Sequence, residues 1–267
     1  MQKEKAAMFI DNSNIFLGMQ KFGKFLIKNG ILQEGKYLRM NWTRLIDYLE
    51  KQDGGIDIFA RHFFASLPPA ADVGKLKKRP TEEEWSELVK KSAQSGFYKA
   101  VQEPPYNFTM HGIPLRFAEV FCNKKIIQAH YKCKESQGGD FKCNLKINLD
   151  ECKECLHKFL LKYEKGVDVA LAVQLIIFGV TKEKNVDRII LVAGDGDYQE
   201  AAKYIRKELG KDFQIVSWGK SLSRDLSKIG NKQTIVLDDH WKDFCEIRSM
   251  APLEEAPVES FEVEIKE

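Results

Sequence analysis

The sequence predicts a parallel α/β fold, and three observations carry that prediction. Two strongly apolar runs, Ala6-Ala7-Met8-Phe9-Ile10 and Ile189-Ile190-Leu191-Val192-Ala193, lack polar alternation and read as strands buried on both faces. From residue 168 onward helical and extended patterns alternate: helix 168–179, strand 188–193, helix 197–209, strand 213–217, helix 221–229 and strand 234–237. Such alternation implies parallel pairing through right-handed crossovers. Each apolar run also ends at an acid, Asp11 after the first and Asp195 with Asp197 after the second. The carboxyl ends of parallel strands are where α/β sheets gather their reactive groups.

The first half reads less regularly. After the strand 6–10, the aromatic and basic stretch 15–30 (Phe16, Lys21, Phe22, Lys24, Phe25, Lys28) predicts a loop or helix bordering the strand ends. Residues 41–49 carry apolar side chains at helical spacing, and Gly54-Gly55 breaks the pattern. Ile56 to Leu67 reads as a buried strand closed by Pro68-Pro69. Residues 70–80, with Lys75, Lys77, Lys78 and Arg79, read as an exposed basic loop. Thr81 with Glu84 has the spacing of a capping box, which predicts a helix through about Ser95 stopped by Gly96.

Residues 112–121 and 124–132 predict a hairpin turning at Asn123, followed by a cysteine-rich segment at 133–155 and a helix from about Asp150 that Gly166 interrupts. The expected organisation is one domain over 1–250, with an insertion at about 112–160, and an acidic flexible tail at 251–267.

The chain has 267 residues, 43% of them hydrophobic and 30% charged, enough for a sizeable globular core. No window approaches the length of apolar sequence that spans a bilayer, and the N-terminus runs directly into a strand without a signal-peptide core, so the expected location is cytoplasmic. The net charge of +3 is unevenly distributed: residues 251–267 hold six Glu and one Lys, so the body without them is more basic, at +8. A basic body attracts phosphate, while a carboxylate cluster holds metal. Charge alone also describes a mildly basic protein with no such partner.

Each acid has a bland reading beside a chemical one. Phe9-Ile10-Asp11-Asn12-Ser13-Asn14 is an ordinary turn after a strand, or one ligand followed by two amides that orient phosphate or water. In Gly194-Asp195-Gly196-Asp197-Tyr198, Asp197 suits the N-cap of the next helix, which leaves Asp195 as the better ligand candidate. Asp168 opens a strongly apolar stretch, either as a helix cap or as a third acid. Carboxylates converging at one sheet edge repel one another unless a hard cation such as Mg²⁺ or Mn²⁺ neutralises them.

The six cysteines do not form a secreted disulfide scaffold. Cys133, Cys143, Cys152 and Cys155 cluster, and Cys152-Lys153-Glu154-Cys155 has the spacing of half a structural Zn²⁺ site. His130 or His157 can replace one of them, and free thiols in a reducing compartment are the alternative. Cys122 and Cys245 read as core residues.

Three motifs in order, Phe-Ile-Asp-Asn-Ser-Asn, Glu-Lys-Gly-Val-Asp-Val-Ala-Leu-Ala and Ala-Gly-Asp-Gly-Asp-Tyr, resemble the NYN domains of the PIN-like nuclease superfamily, the bacterial LabA-like group most of all. Gly219-Lys220-Ser221-Leu222-Ser223 is similar to that group's final segment. The resemblance covers residues 6–30 and 164–240 well and the middle loosely. It implies a Rossmann-like (PIN-like) parallel sheet flanked by helices, a divalent metal and phosphodiester cleavage of RNA or DNA. It assigns Asp11, Asp168, Asp195 and Asp197 to metal and catalysis, and Asn12, Asn14, Lys165, Lys220 and Ser221 to substrate. One departure stands out: the group often has an Asp six residues after the Val-Asp-Val acid, where this chain has Gln174.

Three functional classes follow. The first is an Mg²⁺- or Mn²⁺-dependent nuclease acting on nucleic acid, RNA in preference to DNA. The second is a catalytically weak nucleic-acid-binding or regulatory module, suggested by Gln174. The third is a phosphatase-like hydrolase using the same acids on a small ester.

Overall fold

A computed structural model describes residues 3–67, 80–94, 96–121, 158–163, 166–181, 185–230, 232 and 234–249. The expected zinc ligands Cys133, Cys143, Cys152 and Cys155, together with Lys165, the basic loop and the acidic tail, lie outside these residues. The chain divides into two compact units, residues 1–63, 105–109 and 171–267 in the first, and residues 64–104 and 110–170 in the second.

The chain opens with β1 (Glu4–Asp11), α1 (Asn12–Lys28), β2 (Lys36–Met40), α2 (Trp42–Glu50) and β3 (Ile56–Leu67). It continues through α3 (Glu82–Ala93), α4 (Gly96–Gln102), β4 (Thr109–Pro114), β5 (Arg116–Phe121) and β6 (Lys158–Tyr163). The last third runs α5 (Val167–Val180), β7 (Arg188–Val192), α6 (Gln199–Lys207), β8 (Asp212–Ser217), α7 (Arg224–Ser227), β9 (Ile235–Val236), α8 (Leu237–Phe244) and β10 (Cys245–Ser249). Single 3₁₀ turns at Gln52–Gly54, Gly196–Tyr198 and Gly219–Ser221 punctuate it.

A six-stranded sheet has the order β4-β3-β1-β7-β8-β9, with β1, β7, β8 and β9 paired in parallel. The fold is therefore the expected α/β sheet flanked by helices. Its central strands explain the unbroken apolar runs, since every residue of β7 is buried and β1 is buried from Ala6 to Asp11. Helices on both sides of a parallel sheet leave no wet face, so alternation has no place there.

α1 buries Ile15, Gly18, Met19, Phe22, Gly23 and Leu26, the spacing of one helix face. Phe22 stacks on Trp218 with centroids 5.1 Å apart, and a side chain at Gly18 would collide with the Trp218 ring. Asn41 caps α2 by accepting from the Arg44 N–H, and the Thr81–Glu84 capping box forms in full.

The structure corrects several expectations. Gly96, at φ 50°, does not merely stop a helix but begins the short α4. The strand expected over 112–121 splits at Leu115 into β4 and β5; Pro114 has no N–H to continue a ladder. β5 pairs antiparallel with β6, Arg116 opposite Tyr163 and Phe121 opposite Lys158, so 158–163 is a strand rather than part of the helix expected from Asp150. A six-residue segment such as Lys158–Tyr163 carries no helix-versus-strand signal of its own, and the pairing decides it. β9 is only two residues, because α8 begins at Leu237. β2 and β10 were not foreseen; they pair antiparallel as a separate two-stranded sheet, Met40 opposite Cys245. Among the described residues no helix is long and apolar enough to cross a membrane.

Arg188, fully buried at the amino end of the central strand β7, is satisfied by Glu4 through Nε (3.0 Å) and Nη2 (2.6 Å), and by Gln214 through Nη1 (3.3 Å). Glu4→Ala should lower the unfolding free energy by about 2–3 kcal/mol, less than a wholly buried pair because Glu4 keeps contact with water. Chemical denaturation measures it, and the double variant Glu4→Leu with Arg188→Met should lose less, since no charge is left behind. Burial pushes the Cys245 thiol up to about 12 from its ordinary value of 9.0. Folding then favours the protonated thiol, so this residue's contribution to stability is complete below about pH 9 and fades as pH rises towards 12. Mass-spectrometric mapping should find Cys245 unalkylated at pH 8 in the native protein and alkylated once denaturant is added.

Candidate active site at the carboxyl edge of the sheet

Parallel register places Ile10 beside Val192 and Val192 beside Val216. The next residues of the three strands, Asp11, Ala193 and Ser217, therefore leave the sheet together at its carboxyl edge.

Asp11 is buried at 7% exposure. Its Oδ1 accepts the Asn14 N–H at 3.0 Å, which caps α1, and its Oδ2 accepts the Tyr198 hydroxyl at 2.7 Å. Hydrogen bonds to both oxygens offset the desolvation of the carboxylate. Tyr198 is fully buried and comes from the turn after β7, so the two halves of the edge are tied through this one oxygen.

Asn14 makes the second tie: its Oδ1 accepts the Gly194 N–H at 2.9 Å. Gly194 in turn accepts from the Ser223 N–H at 2.7 Å. A Cβ at Gly194 would overlap the Ser217 hydroxyl and the Ser221 carbonyl, so only glycine fits. Ser221 thus acts through its backbone, as a wall of the Gly194 pocket.

Asp195 is exposed and caps the 3₁₀ turn by accepting the Asp197 N–H at 3.2 Å. This corrects the assignment of the cap to Asp197. The chain makes a 3₁₀ turn at Gly196–Tyr198 before α6 starts, which moves the cap two residues back. Asp197 is exposed with its side chain outside that cap. Asn12 and Asn14 are half-exposed in the first turn of α1. Lys220 is exposed, its Nζ 4.9 Å from the Phe25 ring centroid.

Asp168 stands half-exposed in the first turn of α5, in the part of that helix belonging to the second unit. Gln174 is half-exposed further along the same helix. Among the described residues no three His, Cys, Asp or Glu side chains gather as a metal-binding group. The edge of the first unit is thus built on Asp11 and Asp195, joined through Asn14 and Gly194.

That donor set suits a hard cation all the same. It is made of oxygens, and Mg²⁺ commonly takes only one or two carboxylates and completes its shell with water and substrate phosphate. A carboxylate has about four acceptor sites, so Asp11 can hold a hydrogen-bond donor and a cation together.

Two residues at this edge escaped sequence reasoning. Tyr198 looked like the first residue of a helix, and its bond to Asp11 spans 187 residues. Asp238 accepts the Gly219 N–H at 2.8 Å from the second position of α8, two residues past β9. An acid at the end of the apolar run Ile235-Val236-Leu237 was the available signal for it.

Gly194→Ala should cost about 1–3 kcal/mol of stability, measured by denaturant titration, because the Ser221 backbone cannot retreat from the added methyl. Tyr198→Phe should cost about 1 kcal/mol or more, since it leaves the buried Asp11 carboxylate short of a donor.

Residues 116–238 match the NYN domain family model, a span that begins at β5 and takes in Asp168, Asp195, Asp197 and Asp238 but not β1 with Asp11. No curated protein matches the chain. Among solved structures it is similar to VPA0982 of Vibrio parahaemolyticus RIMD 2210633, a protein of unknown function. Identity there is 15%, with 92% of this chain and 100% of that one covered and a TM-score of 0.44. The matched family is a domain family of the PIN-like nuclease superfamily, and the match spans a little under half of the chain.

Proposed function

We propose that the protein is a divalent-cation-dependent nuclease that hydrolyses phosphodiester bonds, with RNA as the favoured substrate. The observation that carries this reading is the buried Asp11 carboxylate at the parallel sheet's carboxyl edge, held by Asn14 and Tyr198 beside the Gly194-Asp195 turn. The NYN domain supplies the chemical class.

Asp11 and Asp195 would hold Mg²⁺ or Mn²⁺, with Asp197 beside them. The bound cation supplies charge neutralisation at the phosphate and a more acidic water. The chain's own residues do the positioning. Tyr198 and the Asn14 N–H fix the orientation of Asp11, so the carboxylate does not have to be reorganised when substrate arrives. Asn14 gives its amide oxygen to Gly194, which leaves its Nδ2 as the donor towards phosphate. The expected products carry a 5′-phosphate and a 3′-hydroxyl.

A catalytically weak binding module is the second reading, favoured by Gln174 and by the absence of a three-acid group among the described residues. Purified protein incubated with labelled RNA and DNA, with and without Mn²⁺, separates the two. The nuclease reading expects metal-dependent cleavage that falls at least about 100-fold in Asp11→Asn and in Asp195→Asn. Cleavage equal in wild type and both variants overturns it, and salt-dependent binding without turnover selects the binding module.

A further inference from the structure

We propose that the outer face of α1, together with Lys220, is a track for single-stranded nucleic acid that leads to Asp11. The proposal rests on the nucleic-acid reading above, though not on cleavage.

The helix starts at the residue after Asp11, so its first turn lies at the candidate site. No Asp or Glu occurs between Asp11 and Glu34, while Lys21, Lys24 and Lys28 are all exposed. At 100° per residue these lysines run down the middle of the exposed face. Phe16 and Phe25 fall on its two edges, 49% and 42% exposed.

Large rings left this open on a helix whose other face is well packed call for a partner. The charges on this helix are of one sign, so that partner is an anion. Lys220, from the turn Gly219–Ser221, holds its ammonium over Phe25, which presents a cation and an aromatic ring together. A lysine stripe that follows a phosphate backbone, flanked by rings on which bases stack, is the chemistry of single-strand binding. A duplex satisfies the lysines but keeps its bases stacked inward, so the rings gain nothing from it.

The test is fluorescence anisotropy with a 5′-labelled oligouridylate of twelve nucleotides, in EDTA, across a salt series. Phe16→Ala and Phe25→Ala should each weaken binding by about 10-fold. Changing Lys21, Lys24 and Lys28 together to Gln should weaken it further and flatten the log–log salt slope by about two. Lys51→Gln with Lys207→Gln, exposed lysines elsewhere on the first unit, should change affinity less than 2-fold. Circular dichroism confirms that each variant is folded. Unchanged affinity in the α1 variants overturns the track, as does a blunt RNA duplex of equal length bound as tightly as the single strand. Cleavage of the same oligonucleotide in Mn²⁺ is scored separately. A wild type that binds through α1 without cutting upholds the track and overturns the nuclease.

Discussion

Parallel pairing of β1 with β7, Ile10 beside Val192, brings stretches of chain 180 residues apart to one edge, and the candidate site depends on it. A register slip of one residue would reverse the faces of every side chain in β1 and move Asp11 away from Tyr198. The register is held at both ends. At the amino end Arg188 is buried and bound to Glu4 and Gln214, joining β7 to β1 and β8. At the carboxyl end Asn14 binds Gly194, and Tyr198 binds Asp11. Apolar burial between these two polar clamps gives the sheet stability, while the clamps give it alignment.

The same arrangement explains how a carboxylate is kept at 7% exposure. A buried carboxylate without donors would lose several kcal/mol and take up a proton. Asp11 instead receives a backbone N–H at a helix start and a phenolic hydroxyl, both aimed before any ligand arrives. Asp195, in contrast, is exposed and bonded to its own turn. The two acids of this edge thus stand in different surroundings. Asp11 is held by two donors and partly desolvated, and Asp195 is open to solvent.

α1 serves both the core and the surface. Its inner face packs Phe22 on Trp218 through the space left by Gly18, which sets the turn Gly219–Ser221 against the helix and places Lys220 over Phe25. Its amino end, capped by Asp11, is the start of the candidate site. A residue that reads as a strand terminus in sequence is therefore also the cap that orients the neighbouring helix.

The apolar runs of β1 and β7, the alternation after residue 168, the Thr81–Glu84 capping box and the acids Asp11 and Asp195 were legible because each is a local signal: burial on two faces, helical period, cap spacing, a charge at a strand end. The strand at 158–163, the pairing of β2 with β10 and the shortness of β9 were not legible, because short segments take the conformation their partners provide. The cap moved from Asp197 to Asp195 since a 3₁₀ turn and an α-helix begin with the same residue preferences. Sequence by itself determined the sheet's class, its central strands and which acids stand at their ends. Only tertiary structure decided that Tyr198 serves Asp11, that Asn14 reaches Gly194, and that Asp238 joins the edge. Those are contacts between residues far apart in the chain, and no local pattern encodes which distant donor will meet a given acceptor.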